Sequence, residues 1–195
     1  MKRLYIYSPY LWLAVGFIFL SSCSSHKELA HTTRKSSSVA EKASKEKALR
    51  EKYAPLLGIP ADDVTNYSLY SFIDEWYGTP YKWGGKTHDG VDCSDFVDIL
   101  YNQVYNNPLT GNCSNLLEMC KTVKLEDLKE GDLIFFKINS SSVSHVGVYL
   151  TNNKFVHASV HSGVVISDLT TAYYKKYFYK AGRIKTLLTQ NTSKG

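Results

Sequence analysis

Between His145 and Val160 the apolar side chains recur at every second position. Val146, Val148, Leu150, Val156, Ala158 and Val160 hold the even numbers, while His145, Gly147, Tyr149, His157 and Ser159 hold the odd ones, with Phe155 as the exception. Successive side chains of a strand point to opposite faces, so this period of two marks a pair of strands with one buried face. The pattern breaks at Thr151-Asn152-Asn153, and asparagine tolerates the left-handed backbone that a three-residue hairpin loop requires. That loop sets Leu150 opposite Lys154, Val148 opposite Val156 and Gly147 opposite His157. A two-residue loop would instead set apolar residues against polar ones and split the histidines between faces. In the favoured register His145 and His157 lie diagonally on one face, with a glycine between them leaving room for two rings. The core pattern alone therefore predicts a histidine pair; the plainer alternative is two unrelated surface histidines.

The rest of the globular part falls into helices first and strands second. Asn66 to Tyr77 carries Leu69, Phe72, Ile73 and Trp76 at helical spacing, with Gly78 as its stop. A Gly-rich loop over 79–90 follows. Cys93 to Tyr105 then places Phe96, Val97, Leu100 and Val104 on a second helical face, and Asp92 sits where an N-cap belongs. A short helix is expected around Asn115 to Cys120. Five segments rich in branched and aromatic residues come after it: 132–138, 144–150, 154–160, 164–169 and 177–185. Helices followed by consecutive antiparallel strands predict an α+β fold.

The N-terminus is of a different kind. Lys2 and Arg3 precede the apolar run Leu11 to Leu20, which at ten residues is short for a membrane span of about 20. Leu20-Ser21-Ser22-Cys23 closes it, so residues 1–22 read as a secretory leader ending at a lipobox-like signal, with Cys23 as the lipid anchor. Residues 23–52 are dominated by Ser, Thr, Lys and Glu and read as a flexible tether, although 41–53 has the composition of a helix. The globular domain is expected over 53–187 and a disordered tail over 188–195. Of the 23 basic residues, Lys2 and Arg3 leave with the leader, so 21 remain against 18 acidic ones. This balance is too mild to imply nucleic acid.

Cys93 stands at the first turn of its helix, where the macrodipole contributes roughly half a positive charge and free backbone N–H groups suit an oxyanion. A thiol attacks as its thiolate and needs a base, and an imidazole oriented by a second polar ring supplies one. Gly78-Thr-Pro-Tyr-Lys-Trp-Gly-Gly85, Val91-Asp-Cys-Ser-Asp-Phe-Val97, Gly131-Asp-Leu-Ile-Phe-Phe136, His145-Val-Gly-Val-Tyr149, Phe155-Val-His-Ala-Ser159 and the closing Ala181-Gly-Arg-Ile184 resemble, in this order, the NlpC family of bacterial cell-wall peptidases. The resemblance spans Gly78 to Arg183 and is nearest to the small single-domain lipoprotein members.

What it implies is a papain-like fold, with the nucleophile at a helix N-terminus packed on a mainly antiparallel sheet of about five strands. It also implies a cysteine peptidase that cleaves peptidoglycan stem peptides through a thioester, at the γ-D-glutamyl-diamino acid bond or the D,D cross-link. Cys93 falls on the nucleophile, His145 on the base and His157 on the orienting position. Tyr81 falls on an aromatic near the nucleophile, and Asp92 and Ser94 on positions that contact substrate. No cofactor or metal is expected, and the Cys113 to Cys120 spacing lacks a zinc knuckle. A monomer is expected, attached through its lipid to the outer membrane and facing the periplasm, Ser24 fitting that destination.

Two departures from the family pattern stand out. Asp95 replaces the usual glycine beyond Cys-Ser, where its charge would oppose the thiolate, and Asn107 to Cys113 replaces a Leu-Pro-Arg-like segment lining the cleft. Cys113 and Cys120 are left open between a local disulfide and two free thiols. Competing functions are a catalytically degenerate wall-binding scaffold and a papain-like acyltransferase.

Overall fold

A computed structural model describes the backbone of residues 26–185 and the side chains from Ser38. The leader over 1–22, the anchor Cys23 and the tail over 188–195 lie outside the described residues. The chain divides into a unit ending at Lys42 and a second unit from Ala43. Helix α1 (His26–Leu57) begins in the first and ends in the second. Much of the span expected as a flexible tether is thus helical, in keeping with its Ala, Lys and Glu content. In the second unit Leu49, Tyr53 and Leu57 are buried at a spacing of four, so the packed domain starts at Leu49. Leu56, outside that row of three, is exposed.

Helix α2 (Tyr67–Trp76) is capped by Asn66, whose Oδ1 accepts from the Leu69 N–H at 3.2 Å, and buries Leu69, Phe72, Ile73 and Trp76 as its periodicity predicts. Gly78, with φ of 80°, stops it in a backbone conformation that side chains disfavour. The following loop is more ordered than expected. It contains a ribbon of β1 (Lys86–Thr87) and β2 (Gly90–Val91). It is also stitched to the sheet, where the Gly78 N–H donates to the Val164 carbonyl at 2.8 Å and the Val164 N–H to the Thr79 carbonyl at 2.9 Å. Helix α3 (Cys93–Tyr105) has the predicted bounds, while α4 (Cys113–Glu118) starts two residues before its expected position, set there by an Asn112/Asn115 capping box.

Among the described residues the sheet has six antiparallel strands in the order β3-β8-β4-β5-β6-β7. Five coincide with the predicted segments: β4 (Leu133–Phe136), β5 (His145–Tyr149), β6 (Lys154–Ser159), β7 (Gly163–Asp168) and β8 (Phe178–Ile184). The sixth, β3 (Cys120–Val123), is a short edge strand paired to β8. Val148 pairs with Val156, and Asn152 and Asn153 have φ of 48° and 62°, as the three-residue loop demands. Even-numbered Val146, Val148, Val156 and Ala158 join the main core with the helices.

The opposite face is covered too, by α5 (Ala172–Tyr177), which the sequence did not reveal. Phe155, the exception to the alternation, belongs to that second layer with Ile134, Phe136 and Tyr174, its ring 4.9 Å from that of Tyr174. Fully burying such a ring contributes about 1.5–3 kcal/mol. Arg183 grips Asp132 through Nε to Oδ1 at 2.7 Å and Nη2 to Oδ2 at 2.8 Å, and Asp132 is 2% exposed. This bidentate pair joins the Gly131-Asp132 block to the closing Ala181-Gly-Arg-Ile184 block.

Candidate active site

Asp92 fixes where α3 begins. Its Oδ1 accepts from the Asp95 N–H at 2.8 Å and from the Ser94 hydroxyl at 3.0 Å, and its Oδ2 from the Gly84 N–H at 3.0 Å. The carboxylate is therefore both helix cap and clamp for the 82–85 loop, and Ser94 is turned onto it. Cys93, the next residue, is 6% exposed. Hydrogen bonding from Cys113, whose sulfur lies 3.6 Å away, pulls its pKa below the usual thiol range against the opposing effect of burial. The His145 ring, by hydrogen bond and charge, and the Val146 N–H act in the same direction. The proton of the pair stays on Cys113, which the Cys93 thiolate and burial push up. The thiolate thus sits on Cys93, at the positive end of α3.

The histidine pair forms as the hairpin register predicts. His145 Nε2 lies 2.8 Å from His157 Nδ1, both rings are buried, and the ring planes meet edge to face at 84°. Beyond them, His157 Nε2 lies 2.9 Å from the Ser167 hydroxyl and 3.1 Å from that of Tyr174. Burial, and then the neighbouring His145, hold the His157 pKa well below the usual imidazole range, so the ring is neutral with one N–H. A base at His145 needs a free lone pair on Nδ1, toward Cys93, and hence a proton on Nε2. His157 must then accept at Nδ1 and donate from Nε2 to Ser167 or Tyr174. One polarity runs from the sulfur through two rings to a pair of hydroxyls.

Tyr81 lies near the thiolate. Its pKa is pushed up to about 12, by burial first and then by the negative fields of Cys93, Asp92 and Cys113. It therefore keeps its proton and can donate it to an oxyanion. The charge of Asp95 is met by Lys86, whose Nζ is 2.9 Å from its Oδ1. The glycine-to-aspartate departure thus has a partner outside the thiol.

The possible bridge between Cys113 and Cys120 is absent, and all three described cysteines are free. Cys113 faces Cys93, whereas the Cys120 sulfur bonds to the Leu116 carbonyl at 3.3 Å and packs on Gly182. His161 is exposed, and His88 stacks on Trp76 with ring centroids 4.1 Å apart.

Cys113, Ser167 and Tyr174 escape the sequence-based candidate list. Ser167 was within reach of the same parity reasoning, because β6 pairs Phe155 with Ser167 and so puts it on the face of His157. Cys113 reaches the site through the irregular 106–112 segment, which carries no periodic signal.

The sequence model of the NlpC/P60 family matches residues 78–183. The chain is 33% identical to the Murein DD-endopeptidase MepS/Murein LD-carboxypeptidase of Escherichia coli (strain K12), over 86% of this chain and 87% of that one. It is 38% identical to the "Probable endopeptidase NlpC" of the same organism, over 64% of this chain and 82% of that one. Among solved structures, an NlpC/P60 family protein from Bacillus cereus ATCC 10987 superposes with a TM-score of 0.56 at 28% identity. That match covers 62% of this chain and 40% of the longer protein. The NlpC/p60 domain of the peptidoglycan hydrolase SagA has the same fold, with a TM-score of 0.53 at 24% identity.

Proposed function

The chain belongs to the NlpC/P60 family, and from that footing we propose that it is a peptidoglycan endopeptidase working through a thioester on Cys93. The observation that carries this reading is the hydrogen-bonded series from Cys93 through His145 and His157 to Ser167. The Cys93 thiolate adds to the scissile carbonyl carbon, and the oxygen takes up negative charge beside the free N–H groups of the first α3 turn and the Tyr81 hydroxyl. His145, whose Nδ1 has taken the proton that Cys93 gave up on becoming the thiolate, passes it to the departing amine as the C–N bond breaks, leaving the acyl group on sulfur. Its Nδ1, again unprotonated, takes a proton from water, whose oxygen attacks the thioester and frees the carboxylate and thiolate. His157 keeps the His145 proton on Nε2 between steps and remains neutral.

Of the two bonds considered, the D,D cross-link is supported by the relative that resembles most of this chain and is named a DD-endopeptidase. Incubating purified wall digests with the parent and with Cys93→Ala tests the reading by mass spectrometry. Split cross-linked dimers from the parent alone support it. Fragments cut at the γ-D-glutamyl bond would reassign the bond, and binding without fragments would leave only a scaffold. The leader pattern further supports a lipid-anchored, periplasm-facing protein of the outer membrane. Loss of incorporated fatty acid in Cys23→Ala checks this.

A further inference from the structure

Cys113 makes and breaks no covalent bond in the hydrolytic steps, yet its sulfur sits 3.6 Å from that of Cys93. Both thiols are largely buried, at 6% and 7% exposure, which shields Cys113 from bulk solvent and keeps the two sulfurs facing one another. The third described cysteine is turned away, bonded to the Leu116 carbonyl and packed against Gly182. A bond of about 2.05 Å requires the two sulfurs to close by roughly 1.5 Å, a movement within reach of side-chain rotation. Cys113 also opens α4 directly after the irregular 106–112 segment, where Asn106 and Gly111 have φ of 49° and 103°, so the backbone there is not held in a sheet or a long helix.

We propose that Cys93 and Cys113 form an oxidisable dithiol, in which peroxide converts Cys93 to a sulfenic acid and Cys113 resolves it as a disulfide. In the first step the Cys93 thiolate attacks one peroxide oxygen, an S–O bond forms and the O–O bond breaks, and the departing hydroxide takes from solvent a proton equivalent to the one Cys93 shed on ionising and leaves as water. In the second the Cys113 sulfur attacks the sulfenic sulfur, the S–S bond forms and the S–O bond breaks. The proton of Cys113 leaves with the departing hydroxide as water. Two thiols lose two electrons and two hydrogens, and one peroxide becomes two waters. The placement of the thiolate on Cys93 and the proton on Cys113 suits this order of attack. The bridged form has no nucleophile, and Cys93 is spared from the irreversible sulfinic and sulfonic acids. The bridge itself is independent of the peptidase reading; its effect on hydrolysis rests on that reading.

The full chain, reduced and then treated with hydrogen peroxide, is digested without reduction by chymotrypsin and a glutamate-specific protease. Cuts at Tyr101, Tyr105 and Glu118 separate Cys93, Cys113 and Cys120 from one another, and cuts at Glu51 and Tyr53 separate Cys23 from all three. A peptide joining Cys93 to Cys113, two hydrogens lighter than its parts and resolved by dithiothreitol, is expected in the parent and in Cys120→Ser. In Cys113→Ser, over-oxidation of Cys93 is expected to run about tenfold faster or more, beyond rescue by dithiothreitol. Over-oxidation in the parent as fast as in Cys113→Ser, or pairing of Cys93 with a different thiol, overturns the proposal. If Cys113→Ser does not fold, the parent map alone decides. A bridge in a protein that cuts no wall fragments would sink the peptidase reading and leave the dithiol standing; hydrolysis without a bridge does the reverse.

Discussion

Removing both hydroxyls beyond His157, by Ser167→Ala together with Tyr174→Phe, is expected to slow turnover without altering thiol, base or substrate contacts. His157 is 2% exposed, and these two oxygens lie within hydrogen-bond distance of its Nε2, at 2.9 and 3.1 Å. Without them a buried N–H has no acceptor, at a cost of about 1–3 kcal/mol. The ring escapes that cost by moving its proton to Nδ1, which then meets the Nε2–H of His145 across 2.8 Å, donor against donor. His145 is relieved only by shifting its own proton to Nδ1, where it loses the lone pair that faces Cys93. A tautomer penalty of about 1–3 kcal/mol corresponds to a fall in kcat of roughly 5- to 150-fold, with KM unchanged. Either single substitution leaves one acceptor and should cost less than about fivefold. Steady-state kinetics on purified cross-linked muropeptides measure this, with circular dichroism confirming the fold. A double variant within about twofold of the parent kcat, or single variants each as slow as the double, would refute the assignment of proton positions.

Gly147→Ala would put a Cβ 2.7 Å from the Phe155 ring and 3.1 Å from His157 Cβ. A loss of about 1–3 kcal/mol in urea unfolding is expected, with a larger proportional loss of activity than of stability; unchanged values would show that the hairpin yields freely. Because the thiolate form of Cys93 is favoured, its alkylation by iodoacetamide should stay fast through neutral pH and fall only on the acid side, where a free thiol near pKa about 8.5 is already unreactive. A rate that climbs only above pH about 8 would contradict it. His157 has a depressed folded pKa, so the unfolded chain binds its proton first. The stability it contributes is complete above the unfolded value of about 6.5 and declines as pH drops below it. The urea midpoint of the parent should therefore fall toward pH 5 more steeply than that of His157→Gln; parallel slopes would remove His157 as the cause.

The parts of this fold legible in the sequence are those whose side chains repeat against a packed surface. The β5–β6 register followed from six alternating apolar residues and two asparagines, and with it came the His145–His157 contact. α2 and α3 announced themselves through periodic faces and caps. What escaped was either short or held by distant partners. β3 has half-buried residues at both ends and exposed ones between, so no alternation marks it. α5 reads Ala-Tyr-Tyr-Lys-Lys-Tyr, too brief to show a helical period, and it is the fold that lays it over Phe155 and Phe136. The misfit of Phe155 was its only trace. Cys113 depends on the path of an irregular segment, which spacing along the chain does not encode.

The position of β8 makes the middle of the sheet wait for a strand that is synthesised after β3 to β7. β8, last in order among the described strands, lies between β3 and β4, so a chain interrupted before Phe178 has lost an interior strand of its sheet. β4, with the sequence Leu-Ile-Phe-Phe, would present an open, fully apolar edge of the kind that recruits other chains. Asp132 would be left without the guanidinium that neutralises it. A chain cut short before Phe178 is consequently prone to aggregation and proteolysis.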